Sequence, residues 1–314
     1  METLDRVPLD GFHPVTAALK ERPPGSRLAL VVEGGGMRGS VSGGMALALD
    51  ELGLGDRFDA AYGSSAGALN AMWLLSGRVR DGMPTWTDPG LNRDLISWRR
   101  LIGKRPIVDV ERLVDHTYER LSPGLFASVL ASRTELHPIA TEVSGGRAVD
   151  LNFHIRDEAT LREAIRASAT LPLLAGDPVT IAGTRYLDAG LSSAIPLRAA
   201  LADGATHVVV LRSRREGEVV APPTGIGAKV TSRLLSRIDP AVAGAFLSRA
   251  ERELEDERQL ASHDLDPAMT PHVLSIRPAA DSAVPSRLER DVAVIEAGLE
   301  AGRLAAHRAL GGAA

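Results

Sequence analysis

The sequence has no cysteine, which excludes disulfide bonds, thiolate metal sites and a cysteine nucleophile together. It also lacks a strong charge of either sign: 36 Lys and Arg stand against 40 Asp and Glu, a formal net charge of -4. Without a global basic field, nucleic acid is not an expected partner, and any attraction to anionic lipid has to be local. No apolar run approaches the ~20 residues of a membrane span. The opening residues METLDRVPLDGFHPVTAALK carry acidic groups early and no long apolar core, which does not read as a secretory signal. A cytoplasmic location is therefore expected, with any membrane contact peripheral. There is no H-E-x-x-H, no paired histidine spacing and no Ca²⁺ loop, so neither a metal nor a cofactor is expected. No internal repeat is found, and oligomeric state is not legible.

What the 314 residues do contain is a globular balance, 44% apolar and 24% charged with 4% aromatic, enough for one large domain. Residues 1–26 are Pro-rich and end in ERPPGS. They read as a mostly irregular lead-in, with 27–314 as the domain proper. RLALVV (27–32) reads as a buried strand, followed by a glycine loop and a helix over VSGGMALALDEL. FDAAYG (58–63), a tight SSAG turn and ALNAMWLLSG repeat the pattern. Two strand–helix units in series imply a parallel sheet, and so an α/β layered fold with helices on the sheet. Further on, ELHPIATEV with GGRAVDLN forms a strand and hairpin, EATLREAIRASATL a helix stopped at Pro172, and DPVTIAGTRYLDAG a hairpin ending at Asp188. PLRAALADGA, THVVVLRS and HVLSIRP supply another helix and two strands, and an amphipathic helix closes the chain. Residues 221–266 show helical periodicity broken at Pro240 and read as an insertion.

Three short segments carry candidate chemistry. Gly63-Ser64-Ser65-Ala66-Gly67 is a GxSxG sequence between a strand and a helix. Small residues on either side permit a sharp turn that lifts the Ser65 hydroxyl out of the sheet and sets it at a helix N-terminus. Gly34, Gly35, Gly36, Met37, Arg38 and Gly39 also satisfy GxGxxG after a strand. A dinucleotide fold wants an acidic residue at the end of the second strand, and here that strand runs into GSSAG instead. Successive glycines expose backbone N–H groups that suit an oxyanion as well as a pyrophosphate. Asp188, in YLDAG with Gly190 two positions on, is by itself an ordinary turn residue.

The order of the three, glycine loop, GxSxG about thirty residues later and D-x-G after a helix ending in ASATLPLL, resembles the patatin-like phospholipases over most of residues 27–212. The resemblance implies an α/β layer fold related in outline to α/β hydrolases and a Ser-Asp dyad without histidine. In it Ser65 attacks the substrate carbonyl, Asp188 accepts its proton, and the N–H groups of Gly35, Gly36 and Arg38 hold the oxyanion. The substrate would be an acyl lipid or phospholipid, cleaved through an acyl-enzyme; an alcohol in place of water would make the same site a transacylase. One departure is Ala189, where the family usually has glycine, and a positive φ there would strain an alanine by roughly 1 kcal/mol. A Ser-His-Asp esterase is the competing reading, with His207, His263, His272 and His307 following Asp188 in the required order. In the insertion, Ile226, Val230, Leu234 and Leu235 recur beside Lys229, Arg233 and Arg237, the pattern of a helix lying on a membrane surface.

Overall fold

A computed structural model describes residues 13–103, 105–218 and 220–311. Its centre is an eight-stranded sheet in the order β5-β6-β3-β2-β1-β7-β8, with β4 also paired to β3. The strands are Leu28–Val32 (β1), Ala60–Ser64 (β2), Glu135–Glu142 (β3), Ala148–Asp150 (β4), Val179–Ile181 (β5), Thr184–Asp188 (β6), His207–Leu211 (β7) and His272–Ile276 (β8). The run from β3 through β8 is parallel, while β4, β5 and β6 join antiparallel. The architecture is thus a mixed, mostly parallel sheet flanked by helices.

Strand β1 is apolar along its whole length because both faces are covered. Side chains alternate across β1: Leu28, Leu30 and Val32 join the core on one face, Ala29 and Val31 the core on the other. The first core takes in helices Gly39–Glu51 (α2), Ala66–Leu75 (α3) and Val292–Leu310 (α8). The second takes in Leu197–Ala202 (α5) and Leu260 of Pro240–Leu265 (α7). Helix α8 seats against α2 almost backbone to backbone. A Cβ on Gly44 would lie 1.8 Å from the Leu299 carbonyl oxygen, and one on Gly302 would lie 2.0 Å from that of Val41.

Helix Glu158–Ala169 (α4) begins at a capping box, in which the Asp157 carboxylate accepts from the Thr160 N–H at 2.8 Å. It ends before Pro172, as the sequence predicts. Between α3 and β3 the chain makes several short helical turns. Gly225–Leu235 (α6) and α7 fill the segment between β7 and β8.

The lead-in departs from expectation. Residues 1–12 lie outside the described residues, but Pro14–Glu21 is a helix (α1) with Val15, Ala18 and Leu19 buried. A proline at the first helical position needs no N–H partner there, and the His13 side chain accepts from the Val15 N–H at 3.2 Å. Among the described residues no helix is long and apolar enough to cross a membrane.

Candidate active site

The turn from β2 into α3 carries Ser65 at φ 55 and ψ -125, a conformation that costs a non-glycine residue on the order of 1–3 kcal/mol. Packing enforces it. A Cβ on Gly63 would come within 2.4 Å of the Ala68 Cα, and one on Gly67 within 2.3 Å of the Val32 carbonyl oxygen. The strand, the turn and the helix therefore touch through backbone alone. The Ser65 N–H donates to the Ser168 hydroxyl at 3.0 Å, and the Ser64 hydroxyl donates to the Ser193 carbonyl at 2.7 Å. Ser65 itself is buried.

Strand β3 brings Asp188 to the same place. Ser64 pairs with Ile139 and Asp188 pairs with the next residue, Ala140. The Glu135 N–H donates to Asp59 of the segment entering β2, and the Val143 N–H donates to Arg185 of β6. Residues an even number apart on a strand present their hydrogen-bonding groups to one edge, so β2 and β6 meet end to end along one side of β3. Asp188 is fixed on all sides. Its N–H donates to the Thr170 carbonyl at 2.9 Å, its carbonyl accepts from the Thr141 hydroxyl at 2.8 Å, and its Oδ1 accepts from the Gly190 N–H at 2.7 Å. Its Oδ2 is buried without a settled partner among the described residues. Burial raises the carboxyl above its ordinary 3.8, while the Ser65 hydroxyl, the Gly190 N–H and the charges of Arg287 and Arg249 pull the other way. Ala189 opens a short 3-10 turn without a positive φ, so the feared strain at that position is absent.

The glycine loop lies beside Ser65, since a Cβ on Gly34 would sit 3.2 Å from the Ser65 Cβ. Its anchor is Glu33, a buried carboxylate that accepts from Arg212 Nε at 2.9 Å and the Ser213 N–H at 2.8 Å. Burial opposes that charge, yet Arg212, Arg214 and Arg38 hold Glu33 down at about 2. Gly36 adopts φ +59, and its Cα faces the Arg287 carbonyl so closely that a Cβ would lie 2.5 Å from that oxygen. Gly39 is pressed by the Trp86 ring, 2.7 Å from where its Cβ would be.

The three N–H groups expected to hold the oxyanion differ in their surroundings. The Arg38 N–H turns back to the Gly35 carbonyl at 3.3 Å in the 3-10 turn Gly36–Arg38. Those of Gly35 and Gly36 donate to no acceptor among the described residues. The Arg38 side chain is buried and pairs with Glu218 at 3.0 Å, and burial with the charges of Arg214 and Arg287 pushes its guanidinium down to about 10.

None of the four histidines weighed for a triad reaches this site. His207 and His272 open β7 and β8 with ring centroids 5.0 Å apart, at the opposite end of the parallel strands from Ser65. His263 acts on His13 together with that pair. His307 bonds Glu51 at 2.5 Å, at the far end of α2 from the glycine loop.

Beside Ser65 opens a cavity of about 60 Å³ lined by apolar side chains, among them Leu69, Trp86, Leu113 and Leu171. Residues 30–201, more than half of the chain, match the family model described as patatin-like phospholipase. This chain belongs to the patatin-like phospholipase family. The patatin-like segment holds Ser65, Asp188 and both glycine-rich turns. Similar curated proteins are the uncharacterized protein YjjU of Escherichia coli, 29% identical over 215 residues covering 66% of this chain and 57% of that protein. An uncharacterized NTE family protein of Mycobacterium bovis and one of Mycobacterium tuberculosis are each 27% identical over 326 residues, covering 98% of this chain and 51% of theirs. The chain thus spans between about half and three fifths of the length of the relatives it matches.

Several residues that build the site escaped the sequence reading: Ser168, Thr141, Trp86 and Arg287. Ser168 lies in the ASATLPLL segment that carried the resemblance, but a hydroxyl aimed at a backbone N–H far along the chain leaves no local pattern.

Proposed function

We propose that this patatin-like chain is a serine lipid acyl hydrolase working through a Ser65–Asp188 dyad. The observation that carries the reading is the meeting of a strained Ser65 with a buried carboxylate that its hydroxyl reaches, beside an apolar cavity. Ser65 Oγ attacks the ester carbonyl carbon while its proton passes to Asp188 Oδ2. The carbonyl oxygen becomes an oxyanion held by the N–H groups of Gly35 and Gly36, where losing one donor typically costs about 2.7–4 kcal/mol. Collapse expels the alcohol, which takes the proton from Asp188. Water, deprotonated by the same carboxylate, then cleaves the acyl-serine and releases the fatty acid.

The raised proton affinity of Asp188 suits this work, since a base near the operating pH transfers protons better than an ordinary carboxylate. The test is turnover of p-nitrophenyl esters of graded chain length, with fluorophosphonate labelling of the wild type, Ser65→Ala and Asp188→Asn. Labelling that survives in Ser65→Ala, or a late-histidine variant that abolishes it while folded, overturns the dyad.

The substrate would be met at a membrane surface through α6. Ile226, Val230 and Leu234 are 81%, 53% and 36% exposed, a stripe at helical spacing, and Lys229, Arg233 and Arg237 run beside it. Only Leu235 of this helix is buried. An apolar stripe with basic neighbours lowers its free energy on an anionic bilayer.

A further inference from the structure

Of the three tryptophans, Trp73 and Trp86 are buried, while Trp98 stands 49% exposed. It opens the 3-10 turn Trp98–Gly103. From residue 95 to 108 the sequence LISWRRLIGKRPIV holds four cations, Arg99, Arg100, Lys104 and Arg105, and no Asp or Glu. Against a formal net charge of -4 for the whole chain, this is a local patch of the opposite sign. Arg100 is spent on structure: its Nη1 donates to the Leu95 carbonyl at 3.0 Å and to that of Ile107 at 3.4 Å, closing the turn at its base. Arg99 and Arg105 are exposed and hold no ion pair among the described residues.

The base of the turn belongs to the cavity beside Ser65. Ile96 and Val108 pair as an antiparallel bridge, and both line that cavity. The Val108 N–H ties the turn to the Leu174 carbonyl at 2.9 Å, and the neighbouring Leu173 is held 43% exposed at φ 67. Arg105, Pro106 and Leu173 line one groove together with Ile238, just past the end of α6. The turn and the end of α6 are therefore walls of the same groove. Its carboxylates are Glu111, which faces Arg166 at 3.6 Å, and Asp177, so the basic end is the turn itself.

An exposed indole among cations without a carboxylate to pair with fits an anionic lipid surface. The ring is stable at the boundary between acyl chains and water, where its N–H stays wet. A basic side chain near an anionic leaflet strengthens binding by about fivefold. We propose that residues 97–107 are a second lipid-docking element, in which Trp98 enters the interface of an anionic bilayer and Arg99 and Arg105 meet its headgroups. The contact rests on the membrane reading given above to α6 and deepens it, because it sets one wall of the acyl cavity beside the bilayer.

The experiment uses Ser65→Ala, so that no turnover enters the readout, with vesicles of phosphatidylcholine alone or mixed with phosphatidylglycerol. Brominated acyl chains in the anionic vesicles should quench tryptophan emission, and Trp98→Phe should remove the quenching. Arg99→Gln with Arg105→Gln should weaken sedimentation with anionic vesicles by about twenty- to thirtyfold, the product of two such cations. Arg99→Lys with Arg105→Lys should retain the binding. Quenching that survives in Trp98→Phe overturns the proposal, because it comes from lipid reaching Trp86 in the cavity wall. So does unchanged binding of the double Gln variant, equal binding to neutral and anionic vesicles, or a chain that binds neither. Helix α6 contains no tryptophan, so the two contacts fail separately. Binding that needs Ile226 and Val230 but brings no quenching leaves α6 alone at the membrane and overturns the proposal. Quenching that persists in Ile226→Glu with Val230→Glu supports residues 97–107 and removes α6.

Discussion

Replacing Ser65 by glycine should make the protein more stable than replacing it by alanine. At φ 55 and ψ -125 any residue with a Cβ bears strain of about 1–3 kcal/mol, and alanine inherits all of it. Glycine relieves the strain but adds unfolded-chain entropy costing roughly 0.5–1 kcal/mol. Both variants lose the same hydroxyl beside Asp188, so their difference isolates the backbone. The net expectation is a gain of about 1 kcal/mol for Ser65→Gly, a rise in Tm of about 2 °C in a chain of this size. Thermal and urea unfolding of the two variants at one pH measures it. A Ser65→Gly protein equal to or less stable than Ser65→Ala would refute the claim that packing of Gly63 and Gly67 forces strain on the residue between them.

Asp188→Asn should abolish turnover yet stabilise the fold at neutral pH. Burial raises this carboxyl, so the native state prefers the proton and the wild type loses stability as pH rises through the unfolded value towards the folded one. The advantage of the variant is full above the raised value and vanishes below the unfolded value, which chemical unfolding across that range reads directly. By the same shift, kcat/KM of the wild type should fall as pH drops through a point above this carboxyl's ordinary value. Gly302→Ala, with a Cβ 2.0 Å from the Val41 carbonyl oxygen, should lower stability by roughly 1–3 kcal/mol. Gly244→Ala, on α7 with nothing within 4 Å, should raise it by about 0.5–1 kcal/mol; equal melting of the two would contradict the close seating of α8 on α2. Ile226→Glu with Val230→Glu should release the protein from anionic vesicles in a sedimentation assay, and retained binding would remove α6 from the membrane reading.

Much of the layout was legible because the chemistry is local. Strands such as LALVV and HVVVL are continuous apolar runs, as strands buried on both faces must be. Ser65 was findable because a sharp strand-to-helix turn demands small residues at fixed offsets. Helix α1 was hidden because Pro14, Pro23 and Pro24 bracket a short stretch whose apolar positions 15, 18 and 19 make only one turn of pattern. The fate of the Arg38 N–H was equally invisible, since a glycine loop reads the same whether its third amide faces a ligand or closes a 3-10 turn. Arg287 could not be placed from sequence at all. It sits in an irregular stretch before α8, and only the tertiary contact between its carbonyl and Met37 carries it to the cavity.

That placement bears on how an aspartate could do the work of a histidine. Burial alone would lift the Asp188 carboxyl further above its ordinary value. The Gly190 N–H, the Ser65 hydroxyl, Arg287 and Arg249 each draw it back. The first two come with the matched residues 30–201, but both cations lie beyond them, on α7 and in the stretch before α8. The proton affinity of the proposed base is therefore set partly by segments outside the motif. Arg249→Gln should move the acid limb of kcat/KM upward, because removing a cation leaves burial less opposed; an unmoved limb would mean that Arg249 is screened from the carboxylate.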